Sequence, residues 1–577
     1  MQKNWKQGIY DHFQQKLHHE LFRIKCYIIC QSDSKTTADA RIRSIANNFK
    51  TFENYPSNEF HPHIHAIHQD TIGKCKSGQA PFFPYIFSSH EISSFFHFPS
   101  NPKNETSLLK VTSKKLALPI WVPTYDYTTM TNGEIVAKDY PIDSNIVGIT
   151  DYRSIKVPIG IYDEDRLRHI YIVGKTGVGK SKFIVWLVAH DMAQGKWLAL
   201  IDPHGDLVEE AMMHIPESRK DDVIIFDPTD EKFPFCLNPL DVKEDESKQV
   251  LAKWFIDIFK KFFGANWNSM LEHVLRMIFL ALLDKKWSTL FDVIRALTDK
   301  DFRYDMIESI SDDVVRNFWT NEFAGRSQQF NTEAIMPILN KIGQILSIDA
   351  LKNIFASTEN KLDFRKAMDE SKILLVKLSK GKLQEDIMGF LGAMFVTKIF
   401  QAAMSRQNLA KWQRTPFFFY VDEFQNFATE TFNEILSEAR KYGLWLTVAH
   451  QFISQIPASI SDALFGNVGN LISFRISSED ANYMKQHFDP YLDGYDLANL
   501  NQREFYIKMQ VKWQVKDPFS CKSAYTPDPE ISKDFITQLY DTSRSKYTRT
   551  LEEAKKVVEQ TQKDVVEKLE DFTIPMI

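Results

Sequence analysis

Cysteine is scarce in this chain: five residues in 577, with no Cys-x-x-Cys pair among them. That scarcity excludes a disulfide framework and a zinc ribbon, and makes a reducing cytoplasm the expected setting. Long apolar runs are missing as well. Even a run such as Met277 to Leu283 falls far short of the roughly 20 residues that a membrane-crossing helix needs. No basic stretch followed by an apolar core stands at the N-terminus, so no secretory signal is expected. Basic charge is not in excess either. Seventy Lys and Arg against 75 Asp and Glu leave a net charge of −5, which excludes a strongly basic nucleic-acid coat protein. A nucleic-acid motor survives this test, because a ring can line a narrow channel with Lys and Arg while its outer surface stays acidic.

What is present is a globular composition, 44% hydrophobic and 25% charged, so disorder is not the dominant state. Residues 1–120 mix helix and strand signals and are expected to form a small α+β domain. Phe22 to Cys30 reads as a strand, and the stretch after it as an amphipathic helix with Ala38, Ile42, Ile45 and Phe49 on one face and capping candidates at Ser34 and Thr36. Residues 121–154 are expected to be a linker. From 155 to 240, and again from 367 to 529, apolar runs of four to eight residues alternate with helical patterns, which predicts an α/β core with a parallel sheet buried on both faces. Strand signals vanish between 241 and 366, which predicts an inserted all-α module. Residues 530–577 are predicted to be a charged helical tail docked on its own domain, since two heptad-like turns cannot sustain a coiled coil.

The run Gly174–Lys175–Thr176–Gly177–Val178–Gly179–Lys180–Ser181 fits G-x-x-x-x-G-K-[ST] at every position. Its glycines permit a tight loop whose backbone N–H groups converge on phosphates. Lys180 adds a point charge, and the Ser181 hydroxyl is placed to ligate Mg²⁺. A strand signal ends at Val173 and a helix signal starts near Ser181, so the helix N-terminus adds its own partial charge. The second half of a nucleotide site is Pro416 to Phe424, five apolar residues and then Asp422 and Glu423. Such a strand delivers two carboxylates at its C-terminal end, where open α/β sheets bind ligands. Asp422 suits Mg²⁺ held through water, and Glu423 suits polarisation of an attacking water. With Glu423 present, ATP hydrolysis is favoured over a switch.

"IDPHGDL" from Ile201, "IIFDP" from Ile224, "LNPLD" from Leu237, and "YVDEFQNFAT" continuing into "LSEARKYGLWLTVAHQ" occur in this order. Together they resemble the HerA–FtsK superfamily, and within it the TraG/TraD-like coupling proteins of conjugation and type IV secretion. The resemblance implies a RecA-like core, assembly into a hexameric ring, and ATP-driven DNA translocation through phosphate contacts with little sequence preference. It further implies that Gln451 is a sensor of the γ-phosphate, that Arg440 is an arginine finger serving a neighbouring subunit, and that Arg475 is a second finger candidate. A relaxase or secretion-channel protein is the implied partner. Many coupling proteins carry N-terminal transmembrane helices, and no such segment is legible here, which leaves three expectations: a cytoplasmic protein recruited to the inner face of the membrane by a partner, a chain whose anchor has been lost, or a soluble HerA-type role. Alternatives are a secretion ATPase for protein export or pilus assembly, a HerA-like motor in repair or defence, and a nucleotide-gated interaction module, against which Glu423 argues.

Two weaker features complete the reading. Lys380 and Lys382, beside Gly381, form the candidate DNA loop. His61, His63, His65 and His68 are dense enough to suggest a metal, but no Cys or acidic partner at ligand spacing completes a site, so a solvated strand is expected. Cys26 and Cys30 are expected to be core thiols.

Overall fold

The computed structural model describes residues 14, 16–24, 34–49, 85–89, 92–93, 113–129, 135–137, 143–150, 152–153, 156–241, 247–323, 325, 330–381, 383–524 and 532–569. The chain divides into two units, residues 1–110 and 111–577. In the first, β1 (Leu21–Ile24) pairs antiparallel with β2 (Tyr85–Ser88), and α1 spans Lys35–Phe49. Ser34 caps α1, its Oγ accepting from the Thr37 N–H at 3.1 Å. The histidine cluster, Cys26, Cys30 and Lys382 lie outside the described residues.

The second unit is built on an eleven-stranded sheet, ordered β6-β5-β17-β14-β13-β7-β12-β11-β8-β10-β9. The seven strands from β13 to β9 run parallel: β7 (Ile170–Val173), β8 (Trp197–Asp202), β9 (Val223–Phe226), β10 (Ile373–Lys377), β11 (Phe417–Val421), β12 (Leu444–His450) and β13 (Asn470–Ser473). Nearly every residue in them is buried, because a parallel sheet needs helices on both faces. Alternation assigns the faces. Ile170, Ile172, Leu198 and Leu200 join one core, and Tyr171, Val173, Ala199 and Ile201 join the other.

On the first face lie α2 (Lys180–Ala193) and α3 (Asp206–Met213). The opposite face receives α6 (Glu385–Met404) and α7 (Thr431–Glu438). The inserted module is all-helical, beginning with α4 (Lys248–Phe263) and α5 (Ser269–Asp284) and running through shorter helices to Asp369. It has no separate core. Phe259 and Phe262 of α4 meet Phe390 of α6 with ring centroids 5.4 Å apart, and module and sheet share one continuous apolar cluster.

Residues 121–154 are not the linker expected from their mixed composition. Apart from the short hairpin of β3 (Tyr127–Thr129) and β4 (Ile135–Ala137), they contribute β5 (Ser144–Thr150), which is buried and pairs with β6 (Pro158–Tyr162) and β17 (Phe519–Lys522). With β14 (Glu504–Lys508), these strands form the antiparallel flank of the sheet. Its polar residues hid β5 in the sequence: Asn145 is buried, but its amide donates to Leu187 O and Asp191 Oδ1, both at 2.9 Å. A hairpin of β15 (Gln510–Val511) and β16 (Gln514–Val515) follows β14. At the far edge α8 (Lys533–Tyr547) docks on β9, the Ile225 N–H donating to Ser543 Oγ at 2.8 Å, and α9 (Leu551–Leu569) follows it.

Candidate functional site

Strand order assembles the site. β12 lies between β7 and β11, with Val173 opposite His450 and Val421 opposite Val448. The phosphate loop after β7, Gln451 after β12 and the Asp422–Glu423 pair after β11 therefore emerge side by side at the C-terminal end of the sheet.

The loop is held by its neighbours. The Gly174 N–H donates to His450 O at 3.3 Å, and the Lys175 N–H donates to Arg475 O at 2.9 Å. A Cβ on Gly174 would come 2.6 Å from the Phe474 Cβ, so only glycine fits there. Gly177 and Gly179 lie in the left-handed region at φ +77° and +108°, which glycine adopts without steric cost. The Arg503 N–H donates to Val178 O at 2.8 Å, pinning the loop to the start of β14. Gly179 is the N-cap of α2, so the free N–H groups of the first helical turn point into the loop. Ser181 stands exposed in that turn.

Lys180 is 6% exposed, and its Nζ has no hydrogen-bond partner; the nearest anion is Glu423 Oε1 at 3.6 Å. Burial holds its pKa below the ordinary lysine range, against the pull of Glu423 and Asp422. Asp422 is also buried. Desolvation pushes its pKa up to about 7, opposed by Lys180 and reinforced by Glu423 and by Asp202 on the adjacent β8. A buried ammonium without a hydrogen bond and a carboxyl group short of positive charge fit a phosphate and a divalent cation respectively.

Glu423 lies in the left-handed region at φ +45°, a conformation costly for a residue with a side chain. Both its oxygens are held by amides: Gln451 Nε2 donates to Oε1 and Gln425 Nε2 to Oε2, each at 2.7 Å. Gln451 Oε1 in turn accepts from Thr176 Oγ1 at 2.8 Å. The phosphate loop is thus wired to the second carboxylate through the residue expected to sense the γ-phosphate.

The remaining expected residues divide. Arg475 is half-buried beside its own phosphate loop. Arg440 is exposed on the short turn before β12, at the opposite end of the sheet, with Cζ 4.7 Å from the Trp513 ring centroid. Arg168 approaches the same ring at 5.7 Å. Lys380 pairs with Glu385 at 3.1 Å. Among the described residues, no group of three or more His, Cys, Asp or Glu side chains could hold a metal ion. Two site residues were not singled out in the sequence. Gln425 has no local signature. Asp202 does, because its carboxylate accepts from the His204, Leu207 and Val208 N–H groups and caps α3, a pattern foreshadowed by the "DPHGD" turn.

The model of the type IV secretion-system coupling protein DNA-binding domain matches residues 152–488. No curated protein sequence matches the chain. Among solved structures, the chain is similar to the bacterial conjugative coupling protein TrwBdeltaN70 in an unbound form, at 12% identity and a TM-score of 0.48, over 73% of this chain and 99% of that one. It is similar to the plasmid coupling protein TrwB in complex with the non-hydrolysable ATP analogue ADPNP, at 14% identity and a TM-score of 0.49, over 72% and 99%. VirB4 of Thermoanaerobacter pseudethanolicus is also similar, at 13% identity and a TM-score of 0.46, over 67% and 97%.

Proposed function

This chain belongs to the family of type IV secretion-system coupling proteins, and from that premise we propose that it is an ATP-hydrolysing motor that moves DNA for conjugative or secretion-type transfer. The observation that carries the reading is the hydrogen-bonded line Thr176–Gln451–Glu423–Gln425 beside the buried Lys180, whose ammonium faces Glu423 without a hydrogen bond. It joins a phosphate loop to a carboxylate suited to activate water.

Lys180 and the loop N–H groups bind the β- and γ-phosphates of ATP and offset charge on the transferred phosphoryl group. Ser181 and Asp422 are the residues that would hold magnesium, which when bound supplies further positive charge to the phosphate oxygens. Glu423 orients the attacking water and accepts its proton as the oxygen bonds to the γ-phosphorus and the bond to the β-phosphate oxygen breaks. Gln451 contacts both Glu423 and the phosphate loop, so the presence or loss of the γ-phosphate reaches both. Arg440 serves the site of a neighbouring subunit in a ring, read as a hexamer; its place at the opposite end of the sheet from its own phosphate loop accords with that role. Arg475, beside its own loop, is the weaker finger candidate.

DNA would pass along the ring's channel, with Lys380 and Lys382 on a candidate contact loop. A relaxase or a secretion-channel protein is the partner that would bring substrate and membrane together. Among the described residues, one helical stretch, Glu385–Asn408, is long and apolar enough to span a membrane, and 94% of its apolar window is buried inside the protein.

Steady-state ATP hydrolysis with and without single- and double-stranded DNA tests the proposal. DNA should stimulate turnover, and Glu423→Gln should lower it at least about 100-fold while nucleotide binding persists. Turnover indifferent to DNA would favour a protein-export or pilus-assembly ATPase, and full turnover in Glu423→Gln would remove the hydrolytic assignment.

A further inference from the structure

The inserted helical module reaches the hydrolytic carboxylate through one intervening residue, Gln425. α4 runs alongside the segment that follows Glu423 and bonds to it at successive turns. Lys253 pairs with Glu434, Asp257 Oδ2 accepts from Thr431 Oγ1 at 2.7 Å, and Lys260 Nζ pairs with Glu430 Oε1 at 2.8 Å. At the end of the row, Lys261 Nζ donates to the backbone carbonyls of Gln425 and Ala428, both at 2.9 Å. Gln425 is the residue whose amide holds Glu423 Oε2.

We infer that Lys261 is a positioning residue for Glu423, acting through the Gln425–Ala428 turn and the Gln425 side chain, so that the module and the water-activating carboxylate move together. Three features make this more than adhesion between helices. Glu423 occupies a left-handed backbone conformation, so what fixes it must come from its surroundings. The turn behind it is anchored by Phe424 and Phe427, both fully buried, and two of its backbone carbonyls are the atoms that Lys261 binds. And the two flanking ion pairs, Lys253–Glu434 and Lys260–Glu430, are solvent-exposed and of the kind that contributes little, whereas Lys261 binds two carbonyls, one of them belonging to the residue that grips Glu423. A displacement of α4, as when the module engages its substrate, is thereby transmitted over two hydrogen bonds to the reacting carboxylate.

The inference rests on Glu423 activating water, and the test separates the two. The full chain is assayed for ATP hydrolysis, with and without DNA, as wild type and as Glu423→Gln, Lys261→Met, Lys261→Arg, Gln425→Ala and the Lys261→Met/Gln425→Ala pair. Misplacing the carboxylate should lower kcat about tenfold in Lys261→Met, with KM for ATP held within about twofold. Lys261→Arg, which can still donate to both carbonyls, should restore most of the loss. The double variant should be no worse than the poorer single one, because both changes break one path. An unchanged kcat in Lys261→Met, losses that multiply in the double variant, or a loss that Arg does not restore and that tracks a lowered Tm would each overturn the inference. If Glu423→Gln itself turns over normally, the underlying reading fails instead.

Discussion

His169 immediately precedes β7, with φ +59°, and is 1% exposed; its Nδ1 accepts from the Leu446 N–H at 3.1 Å. Burial lowers its pKa from 6.5 to about 4, so the folded protein keeps the ring neutral where the unfolded chain would protonate it. The unfolded state therefore binds the extra proton between about pH 6.5 and 4. The stabilisation is complete above that window and is lost as pH falls through it, to the extent of about 3 kcal/mol. Asparagine tolerates the left-handed conformation and offers an acceptor oxygen in place of Nδ1. His169→Asn should accordingly flatten the decline in denaturation midpoint between pH 7.5 and 5 without abolishing it, because His190 and His450 are lowered in the same direction by burial. An unaltered decline would show that His169 is not a source of acid sensitivity.

α6 joins sheet, module and site. Its apolar sequence suits a membrane span by composition, yet it is buried because it lies between the sheet and the inserted helices. Gly392 marks its closest approach to the turn that follows Glu423, where an added Cβ would collide with the ring of Phe427, four residues beyond that carboxylate. Glycine to alanine within a helix ordinarily gains up to about 1 kcal/mol. Here the collision with a fully buried ring should reverse the sign, for a net loss of about 1–3 kcal/mol. A Tm below that of the wild type, with ATP turnover reduced at temperatures where the variant is folded, is the expected result. A raised Tm would mean that Phe427 moves aside at no cost.

For the whole molecule, the proposed ring makes each site a shared property. A subunit lacking Arg440 keeps its own Glu423, and one lacking Glu423 keeps its finger. Arg440→Ala alone should cost about 10³-fold or more in turnover if the finger acts across subunits. Co-assembling it with Glu423→Gln should then restore activity at about one interface in four, as random mixing in a closed ring requires. Two inactive variants that stay inactive when co-assembled would place Arg440 in a structural role, such as its stacking on Trp513. Turnover should also rise more steeply than protein concentration until assembly is complete.

The sequence by itself determined whatever depends on neighbours a few residues apart. The phosphate loop is legible because glycine spacing dictates backbone shape, Asp422 and Glu423 because an apolar run ends on them, and the α/β class because run lengths alternate. Tertiary structure decided the rest. Nothing local places β12 between β7 and β11, yet that order brings Gln451 between Thr176 and Glu423. Nothing local shows β5 to be a strand of the sheet, since its buried Asn145 is satisfied by groups more than 40 residues away. The Lys261–Gln425 contact spans 164 positions and leaves no periodicity to read. Long-range pairing is set by which faces can be buried together, and that follows from the packing of the whole chain rather than from any window of it.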